Sequence, residues 1–202
     1  MLFDGKEPAD YSEAIRALAP GDTVRLELNR QRYKAPLQAD GHFTLRVPDL
    51  KAPAMVQLRY AGQQTPVYLS PGDQLQVQLD FPHFDQSLRY TGRGATANNY
   101  LAQALYRFEL GPAGMVPRPQ EQRSASTTPA QMRQYADVFR KAQLAFLADY
   151  ERRQPLSPAF RQLATERINL QWALQLLEYP VALQNAATLP ADYFYFLSQL
   201  PP

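Results

Sequence analysis

The chain contains no cysteine, and that one absence removes whole classes of chemistry. There is no thiol nucleophile, no disulfide framework and no cysteine-based zinc site. Thiolate attack is the obligatory step of disulfide exchange, so this chain performs no disulfide chemistry itself. Long apolar runs are also missing: nothing approaches the roughly 20 residues that span a bilayer. The first residues, Met1-Leu2-Phe3-Asp4-Gly5-Lys6, have neither the positive n-region nor the apolar h-region of an export signal. Histidine occurs only at His42 and His83, both near turns, and neither Gly-x-Ser-x-Gly nor His-Glu-x-x-His accompanies them. Charge of one sign is not in excess either. The net charge is +2 and the basic residues are scattered, with Arg140-Lys141 and Arg152-Arg153 the densest pairs. Without a basic stripe the sequence does not read as a nucleic-acid binder.

What is present is the material of a globular protein. Hydrophobic residues make up 45% of the 202 and charged residues 20%. A chain of this length buries about 70% of its unfolded surface. Eighteen prolines against nine glycines point to stiff turns and sharp helix starts, because hydrophobic periodicity persists between them.

The first half has period two. Val24, Leu26 and Leu28 share one strand face, as do Phe43, Leu45 and Val47, then Val56, Leu58 and Tyr60. Val67 and Leu69 follow, then Leu75, Val77 and Leu79, and finally Leu88 and Tyr90. Such alternation marks half-buried strands. Turn signals separate them at Pro20-Gly21-Asp22, Asp40-Gly41, Ala61-Gly62 and Pro71-Gly72-Asp73. The expected fold class is therefore α+β, with an antiparallel β-sandwich of about seven strands over residues 1–95; a closed barrel is the alternative. Asp10-Tyr11-Ser12-Glu13 resembles a capping box before a short helix carrying Ile15 and Leu18.

After Gly92-Arg93-Gly94 the period becomes helical, and a segment of three to four helices is expected over 96–202, packed on the sandwich. The first places Leu101, Leu105 and Phe108 on one side. Residues 110–127 read as an exposed loop. Thr128-Pro129-Ala130-Gln131 then supplies a cap, a first-turn proline and a capping-box glutamine, followed by Met132, Tyr135, Phe139, Phe146 and Tyr150 as the apolar side. Ser157-Pro158 opens the next helix. Its Phe160, Leu163, Ile168, Leu170, Trp172, Leu174 and Leu177 cover more than one stripe, which predicts burial on two sides. Pro180 should stop it. A final short helix is expected from Ala191 to Leu200.

Candidate chemistry is sparse. Gly92-Arg93-Gly94-Ala95 lies at a strand-to-helix junction but lacks the third glycine of a dinucleotide fingerprint and the ending of a P-loop; a flexible junction is the better reading. Asp80, His83 and Asp85 surround Phe81-Pro82 without standard metal-ligand spacing, so they read as solvated loop residues. No catalytic residue, metal ligand or cofactor is assigned. The distinctive candidate surface is Tyr193-Phe194-Tyr195-Phe196. Four consecutive aromatics on a helix cannot all face one core, which leaves some of them to meet a partner.

Thr65-Pro66-Val67-Tyr68-Leu69-Ser70-Pro71-Gly72-Asp73, with Leu75 to Asp80, Phe84 to Gly94 and Asn98-Asn99-Tyr100-Leu101, resembles the amino-terminal region of multidomain TlpA-like thioredoxin-fold disulfide reductases of bacterial envelopes. Leu156 to Phe160 and Asp192 to Leu197 are similar to the helical segment before their catalytic domain. The resemblance runs from about Gly21 onward and rests on turn and packing signals. It implies a periplasmic or envelope setting, an export signal and a lipid anchor in the precursor, and a thioredoxin domain after residue 202; a degenerate stand-alone relative is the other reading. None of the family's catalytic residues maps onto this chain. The expected role is non-catalytic: positioning the redox domain or recognising client proteins. A glycan- or peptide-binding sandwich is the alternative and a stand-alone hydrolase a weaker one.

Overall fold

The computed structural model describes residues 23–199, apart from 29–30, 39–42, 49, 61, 81–82, 112–115, 125 and 184–188. The expected helix at residues 10–18 and His42 lie outside the described residues. The fold is mixed α+β with antiparallel sheets, and the chain divides into two compact units at residues 98 and 99.

The first unit holds strands β1 (Thr23–Leu28), β2 (Gln31–Pro36), β3 (Ala54–Tyr60) and β4 (Gln63–Leu69) in one sheet, in the order β2-β1-β3-β4. Val24, Leu26 and Leu28 are all buried, and Leu26 lies opposite both Tyr33 and Leu58. Val56 faces Val67 across the next ladder. Thus one face of the sheet carries the apolar set, as period two requires. A second, two-stranded sheet pairs β5 (Gln74–Gln78) with β6 (Arg89–Arg93), and the four-residue helix α1 (Phe84–Ser87) lies between them in the chain. Gly92 is required there. Its φ is +87°, and a Cβ would lie 2.2 Å from the Gln74 carbonyl oxygen, a distance no side chain tolerates.

Two strand expectations need correction. Phe43, Leu45 and Val47 do alternate with exposed neighbours, but the segment joins no ladder. Gln31–Pro36 pairs with β1 instead, although Ala35 is its one fully buried apolar residue. Backbone pairing along all of β1 makes it a strand, without much help from side chains. The described residues therefore hold six strands in two sheets, where about seven in a sandwich were expected.

β4 is an edge strand, and its open backbone finds a side-chain partner. The Tyr68 N–H donates to Asn98 Oδ1 at 2.8 Å, and Asn98 Nδ2 donates to the Tyr68 carbonyl at 2.8 Å and to the Gly94 carbonyl at 3.0 Å. Asn98 is fully buried. One amide thus imitates a neighbouring strand, which is how an exposed edge is protected.

The second unit is helical. Helix α2 (Ala95–Leu105) begins before the boundary and runs on into a π turn, Tyr106–Leu110. A four-residue helix α3 (Pro119–Gln122) interrupts the expected 110–127 loop. Helix α4 (Pro129–Arg153) starts on a capping box, in which the Gln131 N–H donates to Thr128 Oγ1 at 3.2 Å and the Thr128 N–H donates to Gln131 Oε1 at 2.8 Å. It buries Met132, Ala136, Phe139, Gln143, Leu147 and Tyr150, one stripe of helical spacing. Helix α5 (Pro158–Leu183) answers with Phe160, Ala164, Ile168, Trp172, Leu176 and Tyr179. Tyr100 ties this core together by ring contacts with Phe146, Tyr150 and Phe160, at centroid distances of 5.6, 5.4 and 5.8 Å.

Two helix expectations also change. α5 does not stop at Pro180 but continues to Leu183. Nor is α5 buried on two sides: Leu170, Leu174 and Leu177 are 55%, 46% and 40% exposed. The last element, Ala191–Gln199, is made of 3-10 turns that meet at a kink at Phe194.

Asn98→Ala should lower stability by roughly 2–4 kcal/mol, because it removes the Asn98 partner from both backbone polar groups of Tyr68. Urea unfolding of the whole chain measures this directly.

Candidate functional site

The 3-10 geometry of residues 191–199 distributes the four aromatics. Tyr193 and Phe196 are buried, three residues apart and on either side of a kink at Phe194. Phe194 is 43% exposed and Leu197 51%, which places an apolar pair on the outward side. Tyr195 lies between these classes, half-buried. Of the expected surface Tyr193, Phe194, Tyr195 and Phe196, the structure therefore leaves Phe194 outside and commits Tyr193 and Phe196 to packing.

The buried members meet α5. Phe196 packs edge-on against Trp172 at 5.8 Å, and Tyr193 packs against Tyr179 at 6.0 Å. The Tyr193 hydroxyl donates to the Leu176 carbonyl at 2.9 Å. Met132 and Ala136 of α4 complete this cluster.

A polar row on α4 borders it at helical spacing: Arg133, Asp137 and Arg140. Asp137 Oδ1 accepts from Trp172 Nε1–H at 2.8 Å, and the Tyr195 hydroxyl lies 2.9 and 3.0 Å from the two carboxylate oxygens. The Arg140 guanidinium stacks over the Trp172 ring at 4.0 Å while donating to Asn169 and Gln199. Arg133 lies over the Tyr195 ring at 5.0 Å and within 3.4 Å of Asp192. Each cation thus has a π face and an oxygen acceptor, so these contacts hold the segment down rather than present free charge. Burial, and then the hydrogen bond to Asp137, push the Tyr195 phenol up to about 12. A phenol held protonated in this way is no general base near neutral pH.

The other sequence candidates are not brought together. Asp73 Oδ2 accepts from the Ser70 N–H at 2.7 Å, and a Cβ on Gly94 would lie 2.6 Å from the Asp73 carboxylate. A negative group, not an open cradle, therefore faces the Gly92-Arg93-Gly94 junction. His83 Nδ1 lies 2.9 Å from Asp80 Oδ2, and the Asp80 N–H donates to Ser87 Oγ, which closes a turn. No cluster of three metal-ligating side chains occurs among the described residues.

A further surface was not anticipated. Leu170, Leu174 and Leu177 recur at four and three residues and form one exposed stripe on α5, on the side away from Trp172, Leu176 and Tyr179. The sequence shows these leucines but not which arc of the helix is left open. No protein-family model, curated protein or solved structure matches this chain.

Asp137→Asn should move the Tyr195 ionisation down toward its ordinary value and leave Tyr90, also raised to about 12 by burial, where it is. Tyrosine ring carbon NMR across alkaline pH reads both. Each raised phenol keeps its proton in the folded state above about pH 10, where the unfolded chain loses it. The stability these phenols contribute is therefore complete below about pH 10 and is lost as pH rises through about 12.

Proposed function

We propose that this chain is a non-catalytic accessory module of an envelope thioredoxin-like protein, and that its helical unit docks the thioredoxin domain. The setting, the periplasm or cell envelope, comes from the resemblance carried by motifs within residues 65–101 and at residues 156–160 and 192–197. The two antiparallel sheets are read as the layers of a small sandwich.

One observation carries the docking assignment. Among the described residues, every exposed large hydrophobic side chain except Leu79 belongs to the helical unit: Leu110, Val138, Leu170, Leu174, Leu177, Phe194 and Leu197. Of these, Leu170, Leu174 and Leu177 share one face, and such a contiguous apolar stripe favours a macromolecular partner over a small solute. The leucine stripe of α5 has the i, i+4, i+7 spacing by which a helix face is read. Phe194 and Leu197 add an apolar corner in the segment similar to the one that precedes the family's redox domain. Recognition of client proteins is the second use of the leucine stripe.

The test is an amide NMR titration of the whole chain with a TlpA-like thioredoxin-fold domain added in trans. A second titration uses reduced, carboxymethylated lactalbumin as an unfolded client. Domain docking predicts perturbations centred on Leu170, Leu174 and Leu177 with the first probe. Binding of lactalbumin alone transfers the face to client recognition, and silence with both overturns the proposal. Leu174→Glu should weaken the interaction while changing stability by no more than about 0.5 kcal/mol, as for an exposed site. Leu176→Glu, two residues on but fully buried, should unfold the helical unit in a circular dichroism melt.

A further inference from the structure

The first unit carries a separate feature, visible only once the strand register is known. Residues directly opposite on antiparallel strands share a face and have Cβ atoms about 4.5–5.5 Å apart. The register sets Lys34 opposite Arg25, Arg25 opposite Arg59, and Arg59 opposite Gln64. Three cations therefore stand side by side across β2, β1 and β3, all of them exposed. Like charges facing each other across a ladder are destabilising. A structural surface would place an acid among them, and the chain has nineteen to use. Instead Glu27, the acid on this face, stands one row along, opposite Arg32 and Gln57. Among the described residues, Lys34, Arg25 and Arg59 have neither an ion-pair nor a side-chain hydrogen-bond partner.

A depression of about 410 Å³ opens at the same place, at the end of the sheet that holds the β3–β4 turn. Its lining includes Thr23, Arg25, Arg59, Gln63 and Gln64, with Gly62 at the turn. Two guanidinium groups, two primary amides and the Thr23 hydroxyl offer N–H or O–H donors, and no carboxylate is among the described lining residues. Donors that converge with two positive charges select an oxyanion. Paired arginines in particular suit phosphoryl and carboxylate oxygens, which they grip bidentately. The volume falls at the low end of the roughly 300–1,000 Å³ of small-molecule sites, larger than a bare inorganic ion requires.

We propose that this depression binds a small organic anion, with its phosphoryl or carboxylate oxygens seated between Arg25 and Arg59 and Lys34 adding charge at the edge. The bound anion relieves the repulsion along the row. The empty site therefore costs stability that the ligand restores. This assignment rests on the sheet alone and does not depend on the docking role of the helical unit.

The experiment is thermal unfolding of the full chain with inorganic pyrophosphate or citrate as probe, against chloride at matched ionic strength. Wild type should gain a saturable rise in Tm with at least one probe, and which one names the preferred oxyanion. Arg25→Gln and Arg59→Gln should each weaken the apparent affinity about tenfold or more. Neither variant should melt below wild type in chloride, because each removes one of two facing cations. Arg89→Gln, on the other sheet, should keep the full response. No rise in wild type, or an equal rise in wild type and both variants, overturns the site. If a variant fails to fold, the wild-type amide spectrum decides. Perturbation centred on Thr23, Gln63 and Gln64 sustains the proposal, and perturbation centred elsewhere overturns it.

Discussion

One hydrogen bond, from the Tyr193 hydroxyl to the Leu176 carbonyl, ties the last segment of the helical unit to α5. Leu176 is four residues before Pro180, the position whose N–H would normally be given to that carbonyl, and proline has none to give. An interior proline costs a helix about 3 kcal/mol or more, yet α5 runs past it to Leu183. The phenol supplies the missing donor. In turn Tyr193 is drawn into the core, and the 3-10 segment that carries it is laid along α5. The second phenol of this region does similar work, since the Tyr179 hydroxyl donates to the Thr127 carbonyl at 2.6 Å beside the start of α4. Aromatics with polar tips thus close both backbone openings, at Thr127 and at Leu176, while their rings fill the space between.

This arrangement explains why α5 is two-faced. Trp172, Leu176 and Tyr179 point to α4 and the 3-10 segment, and every polar side-chain atom they bring has a partner: Asp137 for the indole, Thr127 for the phenol. Once that side is filled, no described element of the helical unit covers Leu170, Leu174 and Leu177, which keep about half of their surface in solvent. Fully burying such a leucine is worth about 1.5–3 kcal/mol, so three of them are enough to matter to a partner that fits them.

Much of this was legible in the sequence. The strands β1, β3 and β4 follow from period-two apolar positions, strict only in β1, and the start of α4 from Thr128-Pro129 with Gln131. β2 was not legible, because Gln31-Arg32-Tyr33-Lys34-Ala35-Pro36 brings only Tyr33 and Ala35 to its inward face and is a strand chiefly through its ladder. Phe43 to Val47 erred in the other direction, since the pattern of a strand does not provide a partner. The Tyr193–Leu176 bond and the Lys34–Arg25–Arg59 row share one reason for being invisible. Both depend on residues far apart in the chain, and only topology brings them together. The aromatic run is unusual in the sequence, but its division into Tyr193 and Phe196 inside and Phe194 outside depends on 3-10 turns that meet at a kink at Phe194, which composition does not reveal.

The most direct measurement is a double-mutant cycle between Tyr193→Phe and Pro180→Ala, read by urea unfolding. In the native background Tyr193→Phe leaves the buried Leu176 carbonyl without a donor and should cost about 1–3 kcal/mol. In the Pro180→Ala background the helix regains its own N–H for that carbonyl. The same Tyr193→Phe change should then cost far less, giving a coupling of about 1 kcal/mol or more. A cost equal in both backgrounds, within about 0.5 kcal/mol, would contradict the account.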